Sequence, residues 1–134
     1  MARLENVEGI GTTYAMRLRE AGVATARSLL KKGATPQGRK ELAEKSGISE
    51  KMILEWVNHL DLFRVRGVGS EYADLLEEAG VDTVPELAQR TAANLYARLM
   101  EVNQAKKLVR RLPTQAQVEG WIAEARKLPR VIMY

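Results

Sequence analysis

Two glycines separated by one residue lie at the centre of the stretch Leu4-Glu5-Asn6-Val7-Glu8-Gly9-Ile10-Gly11-Thr12-Thr13-Tyr14-Ala15-Met16-Arg17-Leu18. The same pattern returns between Leu62 and Leu76, where the centre reads Val65-Arg66-Gly67-Val68-Gly69-Ser70-Glu71-Tyr72-Ala73. Each copy has an apolar residue between its glycines and an alanine four residues after the second glycine. The offset between the copies stays at 58 residues (67 − 9) along the whole stretch. The chain therefore contains an internal duplication.

The repeated pattern predicts two short helices joined by a tight hairpin. The first glycine can adopt the positive φ that ends a helix, and the apolar residue after it is expected to point into the core. Thr12 and Ser70 follow the second glycine of each copy, and we expect their hydroxyls to cap the next helix. Ala15 and Ala73 come one turn later, where a larger side chain would push the helices apart.

This pattern resembles the helix-hairpin-helix motif. In that family the hairpin amides and the N-terminus of the second helix face a nucleic-acid phosphate, which is a helix-terminus anion site. Each half is similar to the small helical domain at the N-terminus of archaeal and eukaryotic RecA-like recombinases, the first half through its hairpin, a short helix and the segment 42–51 that opens the next helix. That order of elements is less similar to the C-terminal domain of the bacterial RNA polymerase alpha subunit.

Over nearly its whole length the chain is most similar to an uncharacterised bacterial family of tandem helix-hairpin-helix proteins, classed as a domain of unknown function. That family supplies no established activity. The residues that carry this likeness are Gly9-Ile10-Gly11, the segment 33–42, Trp56-Val57-Asn58 and Gly67-Val68-Gly69.

The resemblance implies a phosphate site at the first hairpin, made of the following residues: Gly9, Ile10, Gly11, Thr12, Thr13 and, one turn later, Arg17. We expect a second basic patch at Gly38, Arg39 and Lys40, near the start of a later helix. Hairpins that bind DNA usually carry Lys or Arg two residues after the second glycine. Thr13 holds that position in the first copy and can still donate a hydrogen bond.

Glu71 holds the same position in the second copy and would repel a phosphate. The second hairpin is therefore predicted to be structural only, and it consists of Gly67, Val68, Gly69 and Ser70. The charge distribution agrees with this difference. Residues 1–40 contain eight basic and three acidic side chains, whereas residues 70–88 contain six acidic side chains and no basic one.

Helical patterns run through the chain, so we predict an all-α fold of two tandem helix-hairpin-helix domains packed together, 1–61 and 62–134. In the first domain we expect a short helix at 2–6, a helix ended by Gly22, caps at Thr25 and Ser49, and a start at Thr35-Pro36. Trp56 lies on an apolar helix face, so core packing is favoured over base stacking.

In the second domain Gly80 should end a helix, Thr83 and Glu86 should form a capping box, and Asn103 should adopt the left-handed conformation. A helix is expected at 106–112, and Thr114 should cap the last helix, which carries the buried Trp121. That last helix either has no counterpart in the first domain or matches the Trp56 helix after an insertion.

Composition narrows the functional classes. The 134 residues are 46% hydrophobic and 28% charged, carry a net charge of +4 and include no cysteine, which excludes disulfides and thiol chemistry. We see no signal peptide at the N-terminus and no apolar run long enough to span a membrane, so we expect a cytoplasmic protein with no membrane contact.

Enzymatic chemistry has little support in the sequence. The only histidine, His59, lies near a helix end beside Asp61, and no Cys/His cluster suits zinc. Gly9-Ile10-Gly11 lacks the Lys-Ser/Thr of a nucleotide-binding loop. We therefore expect no catalytic residue, no metal and no cofactor.

The favoured hypothesis is a non-catalytic module that binds DNA or RNA through backbone phosphates, independently of base sequence. The alternative is a protein-interaction or scaffold module, which the acidic second hairpin and the apolar tail 131–134 favour. The sequence leaves the choice between DNA and RNA, the identity of any protein partner and the oligomeric state open.

Overall fold

The computed structural model describes residues 3–7 and 9–134 of the chain. Within these ranges it contains eight α-helices and one 3-10 helix, and no strand, which confirms the all-α prediction. The chain forms two compact units. The first ends at Asp61 and includes Val131–Tyr134, and the second is Leu62–Arg130. None of the described helices is long and apolar enough to cross a membrane.

The first unit begins with a 3-10 helix at Leu4–Asn6; Ala2, where the sequence predicts the start of this helix, lies outside the described residues. Four α-helices follow: α1 (Thr12–Glu20), α2 (Ala26–Gly33), α3 (Pro36–Ser46) and α4 (Glu50–Leu62). The apolar side chains of this unit form its core. Its buried members are Leu4, Val7, Ile10, Ala15, Leu18, Val23, Ala26, Leu29, Leu30, Leu42, Ile48, Ile53, Trp56, Val57, Leu60 and Ile132.

The helix ends of the first unit follow their local sequence signals. Gly22 has a φ of +96°, and the Val23 N–H donates to the Leu18 carbonyl at 2.8 Å, as in a Schellman motif. Thr25 and Ser28 form a reciprocal capping box at the start of α2. At the start of α3 the Thr35 hydroxyl accepts a hydrogen bond from the Gly38 N–H at 3.0 Å. These predicted boundaries are confirmed.

The second unit contains α5 (Ser70–Glu78), α6 (Val84–Ala88), α7 (Ala92–Lys106) and α8 (Gln115–Ala125). Helix α5 packs against α7, and both α6 and α7 pack against α8. One apolar cluster of leucine, valine and alanine side chains around Trp121 forms its core. The predicted capping box at Thr114, which includes Gln117, is present at the start of α8.

Three predictions for the second unit are wrong. Thr83 is the N-cap of α6, but its side chain makes no capping hydrogen bond, because its hydroxyl instead donates to the Glu86 carboxylate at 3.3 Å. Helix α7 continues through Asn103 to Lys106, and Lys107 is the left-handed residue, with a φ of 53°. Residues 107–113 form a loop rather than a helix, because the Asn103 side chain accepts from the Val109 N–H and donates to its carbonyl.

The structure resolves the open alignment of the last helix. Trp56 packs on Tyr14 with ring centroids 5.3 Å apart, and Trp121 packs on Tyr72 at 5.2 Å. The two aromatic pairs have nearly the same tilt, 56° and 52°. Helix α8 is therefore the counterpart of α4. The additional residues of the second unit lie between the caps of α7 and α8, in the longer α7 and the loop 107–113.

Candidate nucleic-acid interface

Both glycine hairpins have the same backbone geometry. Gly9 and Gly67 have φ angles of +89° and +90°, a region that disfavours any residue with a side chain. Ile10 and Val68 are buried, as predicted. Their N–H groups donate to the carbonyls of Val7 and Val65 at 3.0 and 3.1 Å. The Ile10 amide is therefore occupied within the turn and does not serve as a phosphate donor, contrary to the sequence prediction.

A buried tryptophan packs against the first glycine of each hairpin. A Cβ atom placed on Gly9 would lie 3.3 Å from Nε1 of Trp56, and one placed on Gly67 would lie 3.2 Å from Nε1 of Trp121. Trp56 and Trp121 are 3% and 4% exposed, which confirms their prediction as core residues. A close indole and a positive φ together explain why glycine occupies the first hairpin position in both copies.

The second glycine of each hairpin is the N-cap of the following helix. Gly11 precedes α1 and Gly69 precedes α5, so Thr12 and Ser70 are the first residues of these helices rather than their caps. Because glycine has no side chain, it contributes no oxygen to the first-turn amides. A Cβ on either glycine would meet no described atom within 4 Å. Both helix starts are therefore open to an approaching group.

The structure brings Arg17 together with the start of α1. Thr12, Thr13 and Arg17 are exposed, and Arg17 follows Thr13 by one helical turn. Helical side chains incline towards the N-terminus, so the Arg17 guanidinium extends towards the hairpin. Its central carbon lies 5.9 Å from the ring centroid of Tyr14, which itself packs on Trp56. Arg17 thus lies near the half-buried Tyr14, which packs on the core residue Trp56.

The second predicted patch is wrong in two of its three residues. Arg39 is buried, and its guanidinium donates to the Gly33 carbonyl at 2.7 Å and to the Met133 carbonyl at 2.9 Å. The Gly38 N–H is bonded to Thr35, and a Cβ on Gly38 would lie 1.9 Å from the Lys32 carbonyl oxygen. Only Lys40 is exposed. Arg39 therefore holds α2, α3 and the C-terminal segment together, and the Gly38 amide is already bonded to Thr35.

Two arginines that the sequence prediction did not place lie at the second hairpin. Arg110 and Arg111 line a cavity of about 400 Å³ together with Gly69, Ser70 and Glu71. The Tyr72 hydroxyl donates to the Arg111 carbonyl at 3.0 Å and so fixes the loop 107–113 against the start of α5. The sequence contained a signal for this basic cleft, because the residues that the second copy has in addition to the first include Arg110 and Arg111.

An ion pair removes Arg19, the other arginine of α1, from consideration. Arg19 donates to both carboxylate oxygens of Glu5, at 2.9 and 3.1 Å. The pKa of Glu5 is held below its ordinary value by a backbone hydrogen bond and by the Arg19 guanidinium. Arg17 makes no ion pair within the described residues, so it is the arginine of α1 whose charge is available to a ligand.

Comparison with known sequences places the chain in a family. Residues 8–128 match the family described as a domain of unknown function, DUF4332, and the chain belongs to that family. No curated protein and no solved structure matches the chain significantly.

Proposed function

We propose that the chain is a non-catalytic helix-hairpin-helix module that binds nucleic acid through backbone phosphates, without reading base sequence. The observation that supports this proposal is the open start of α1, where exposed Gly11, Thr12 and Thr13 lie one turn before the exposed Arg17. Helix N-termini attract anions because their first amides are unpaired and the helix dipole is positive there.

A helix N-terminus alone binds an anion weakly, and an arginine beside it adds a full charge and further hydrogen bonds. The contribution of one helix terminus is about 0.3–1 kcal/mol, which salt weakens further. A guanidinium can donate two parallel hydrogen bonds to one phosphate and carries a full positive charge. In our proposal the amides of α1 and the Arg17 guanidinium therefore bind the same phosphate.

The second hairpin contributes in a different way. Its helix start carries Glu71 instead of threonine, and Leu75, which is buried, stands where Arg17 stands in the first copy. The loop 107–113 supplies the positive charge through Arg110 and Arg111. Two arginines against one glutamate leave a net positive cleft. We propose that this cleft binds a second phosphate, more weakly than the first hairpin does.

The proposal is tested by measuring affinity against salt. Fluorescence anisotropy of labelled duplexes with unrelated sequences should give equal dissociation constants at each salt concentration. The logarithm of the affinity should fall linearly with the logarithm of salt, by about 0.9 for each phosphate contacted. A parallel series with an RNA duplex and a single strand identifies the preferred nucleic acid. Absence of binding at low salt would overturn the proposal.

A protein-interaction module is the second candidate function, and exposed methionines favour it. Met16 on α1 is 54% exposed and Met100 on α7 is 43% exposed. Methionine is common on surfaces that bind varied partners, because its side chain is flexible and polarizable. If the chain fails to bind nucleic acid at low salt, this alternative is tested by cross-linking a protein partner to probes placed at Met16 and Met100.

A further inference from the structure

A hollow of about 620 Å³ lies in the first unit, away from the hairpin. The segment after α1, one face of α2 and one face of α3 surround it. We call it the lysine hollow and define it by the lining side chains that carry its chemistry: Lys31, Lys32, Gln37, Glu41 and Lys45. Its volume lies in the range typical of sites for small molecules, which is about 300–1,000 Å³.

The charges around the lysine hollow do not cancel. Lys32 donates to Glu41 at 2.6 Å, and Gln37 donates to the other carboxylate oxygen at 3.2 Å. These two hydrogen bonds, that of Lys32 first, hold the pKa of Glu41 below its ordinary value, so Glu41 is ionised at neutral pH. Lys31 and Lys45 are exposed and make no ion pair within the described residues. Three ammonium groups and one carboxylate leave the hollow with two positive charges.

In the second unit an arginine side chain lies over the corresponding glycine. Lys32 follows Gly22 by ten residues, and Arg90 follows Gly80 by the same number. The Arg90 guanidinium lies over Gly80, because a Cβ there would be 3.1 Å from its Nη2 atom. A Cβ on Gly22 would meet no described atom within 4 Å. The two copies therefore share the backbone at this glycine, but Arg90 fills the space over Gly80 and the space over Gly22 is open.

Lys45, another lysine of the hollow, has no basic counterpart in the second unit. Lys45 lies ten residues after the cap Thr35, and the residue ten after the cap Thr91 is Glu101, which pairs with Arg98 at 3.2 Å. The positive charge at Lys45 is therefore specific to the first unit. It does not follow from the shared fold.

We propose that the lysine hollow binds a small anion that carries a phosphate group, at a site separate from the hairpins. A phosphate monoester carries about 1.5 to 2 negative charges at neutral pH, which matches the two net positive charges of the hollow. Lysine binds such a group as a flexible point charge. Because the hollow is larger than a phosphate, the rest of the ligand would lie against Ala21 and Val23.

The test uses the full chain, labelled with ¹⁵N, and inorganic pyrophosphate as the probe at constant ionic strength. We expect saturable shifts of the Gly22 and Gln37 backbone amides and little change at Thr12 and Thr13. The double substitution Lys31→Gln with Lys45→Gln should raise the dissociation constant about tenfold, since it removes two exposed charge contacts. Shifts that stay linear in pyrophosphate concentration would overturn the proposal.

A matched control removes the same charge elsewhere. Lys51→Gln with Lys127→Gln also replaces two exposed lysines, and neither residue lines the hollow or a hairpin. This variant should bind pyrophosphate within twofold of the unsubstituted chain. Equal loss of affinity in the control and in the hollow variant would mean that the anion responds only to net charge, and the site would be withdrawn.

A second experiment distinguishes anion binding at the lysine hollow from nucleic-acid binding at the hairpin. The hollow variant should bind duplex DNA as the control variant does, whereas Arg17→Gln should weaken DNA binding and leave pyrophosphate binding unchanged. If the hollow variant loses DNA affinity well beyond the control, the hollow is a nucleic-acid contact and not a separate small-anion site. Failure of DNA binding altogether overturns the proposed function but leaves the pyrophosphate result standing.

Discussion

The two hairpins have the same backbone and obtain their positive charge from different places. In the first, Arg17 comes from the helix that the hairpin begins and lies over Tyr14. In the second, a buried leucine replaces that arginine, and the equivalent tyrosine, Tyr72, holds the loop that carries Arg110 and Arg111. The core thus preserves the turn, while the residues around the turn determine its charge.

In each hairpin, one set of residues maintains the shape of the turn and another set supplies its positive charge. Gly9 with Trp56, and Gly67 with Trp121, are needed for the shape of the turn, because the indole lies against the glycine in both copies. The arginines are exposed and take no part in the core. Substitution of the tryptophans and glycines should therefore change stability, whereas substitution of the arginines should change binding alone.

The largest effect is expected from the tryptophans. Trp56→Ala and Trp121→Ala should each lower the free energy of unfolding by about 3–5 kcal/mol, because each removes a large buried ring and leaves a cavity. Urea unfolding followed by circular dichroism measures this loss. If one substitution costs less than 1 kcal/mol, the two aromatic pairs are not equivalent and the comparison between the copies fails.

The next largest effect concerns the glycines. Gly9→Ala and Gly67→Ala should each cost about 1–2 kcal/mol in the free energy of unfolding, since alanine is forced into a left-handed conformation. Gly11→Ala and Gly69→Ala are matched controls, because both positions have a negative φ and open space. Thermal melts should show the larger drop for the first pair and a smaller one for the controls, where alanine is only a poorer N-cap than glycine. Equal drops at all four positions would contradict the assigned turn geometry.

The arginines come third and affect binding. Arg17→Gln should weaken duplex binding about tenfold at low salt and reduce the salt slope by about 0.9, because one phosphate contact is lost. The double substitution Arg110→Gln with Arg111→Gln should reduce the slope by the same amount but the affinity less. Lys51→Gln serves as the control for net charge. An unchanged slope for Arg17→Gln would remove the first hairpin from the interface.

The smallest effect is expected at Glu71. Glu71→Gln removes the negative charge from the cleft that Arg110 and Arg111 line, so duplex affinity should rise about two- to fivefold at low salt. The gain should disappear at high salt because exposed charges are screened. Glu119→Gln, which changes an exposed carboxylate of α8, controls for net charge. Equal gains in both variants would mean that Glu71 has no specific place in the second hairpin.

The sequence predicts most of the local structure, because the signals lie within a few residues of each other. The glycines at 22, 47 and 80 end their helices in the left-handed conformation, and Thr25, Thr35 and Thr114 cap theirs. The repeat itself indicates two similar hairpins. None of these features depends on contacts that are distant in the chain.

Two of the features that the sequence did not predict depend on distant contacts. Arg39 looked like a surface charge next to Lys40, but its partner is the Met133 carbonyl, 94 residues away. Arg111 reaches the second hairpin through a bond from Tyr72, 39 residues earlier. The caps of α1 and α5 are a local feature that the prediction also missed, because these helices begin at Thr12 and Ser70, one residue earlier than caps at those residues require. Local sequence patterns carry no information on partners that are distant in the chain, such as those of Arg39 and Arg111.

The most direct test of the shared hairpin is to observe its amides during binding. Titration of the ¹⁵N-labelled chain with a short DNA duplex at low salt should shift the backbone amide signals of residues 11–13 strongly and of residues 69–71 more weakly. Both sets should return towards their free positions as salt is added. Saturable binding with no shift at either set, and shifts confined to other surfaces, would contradict the account.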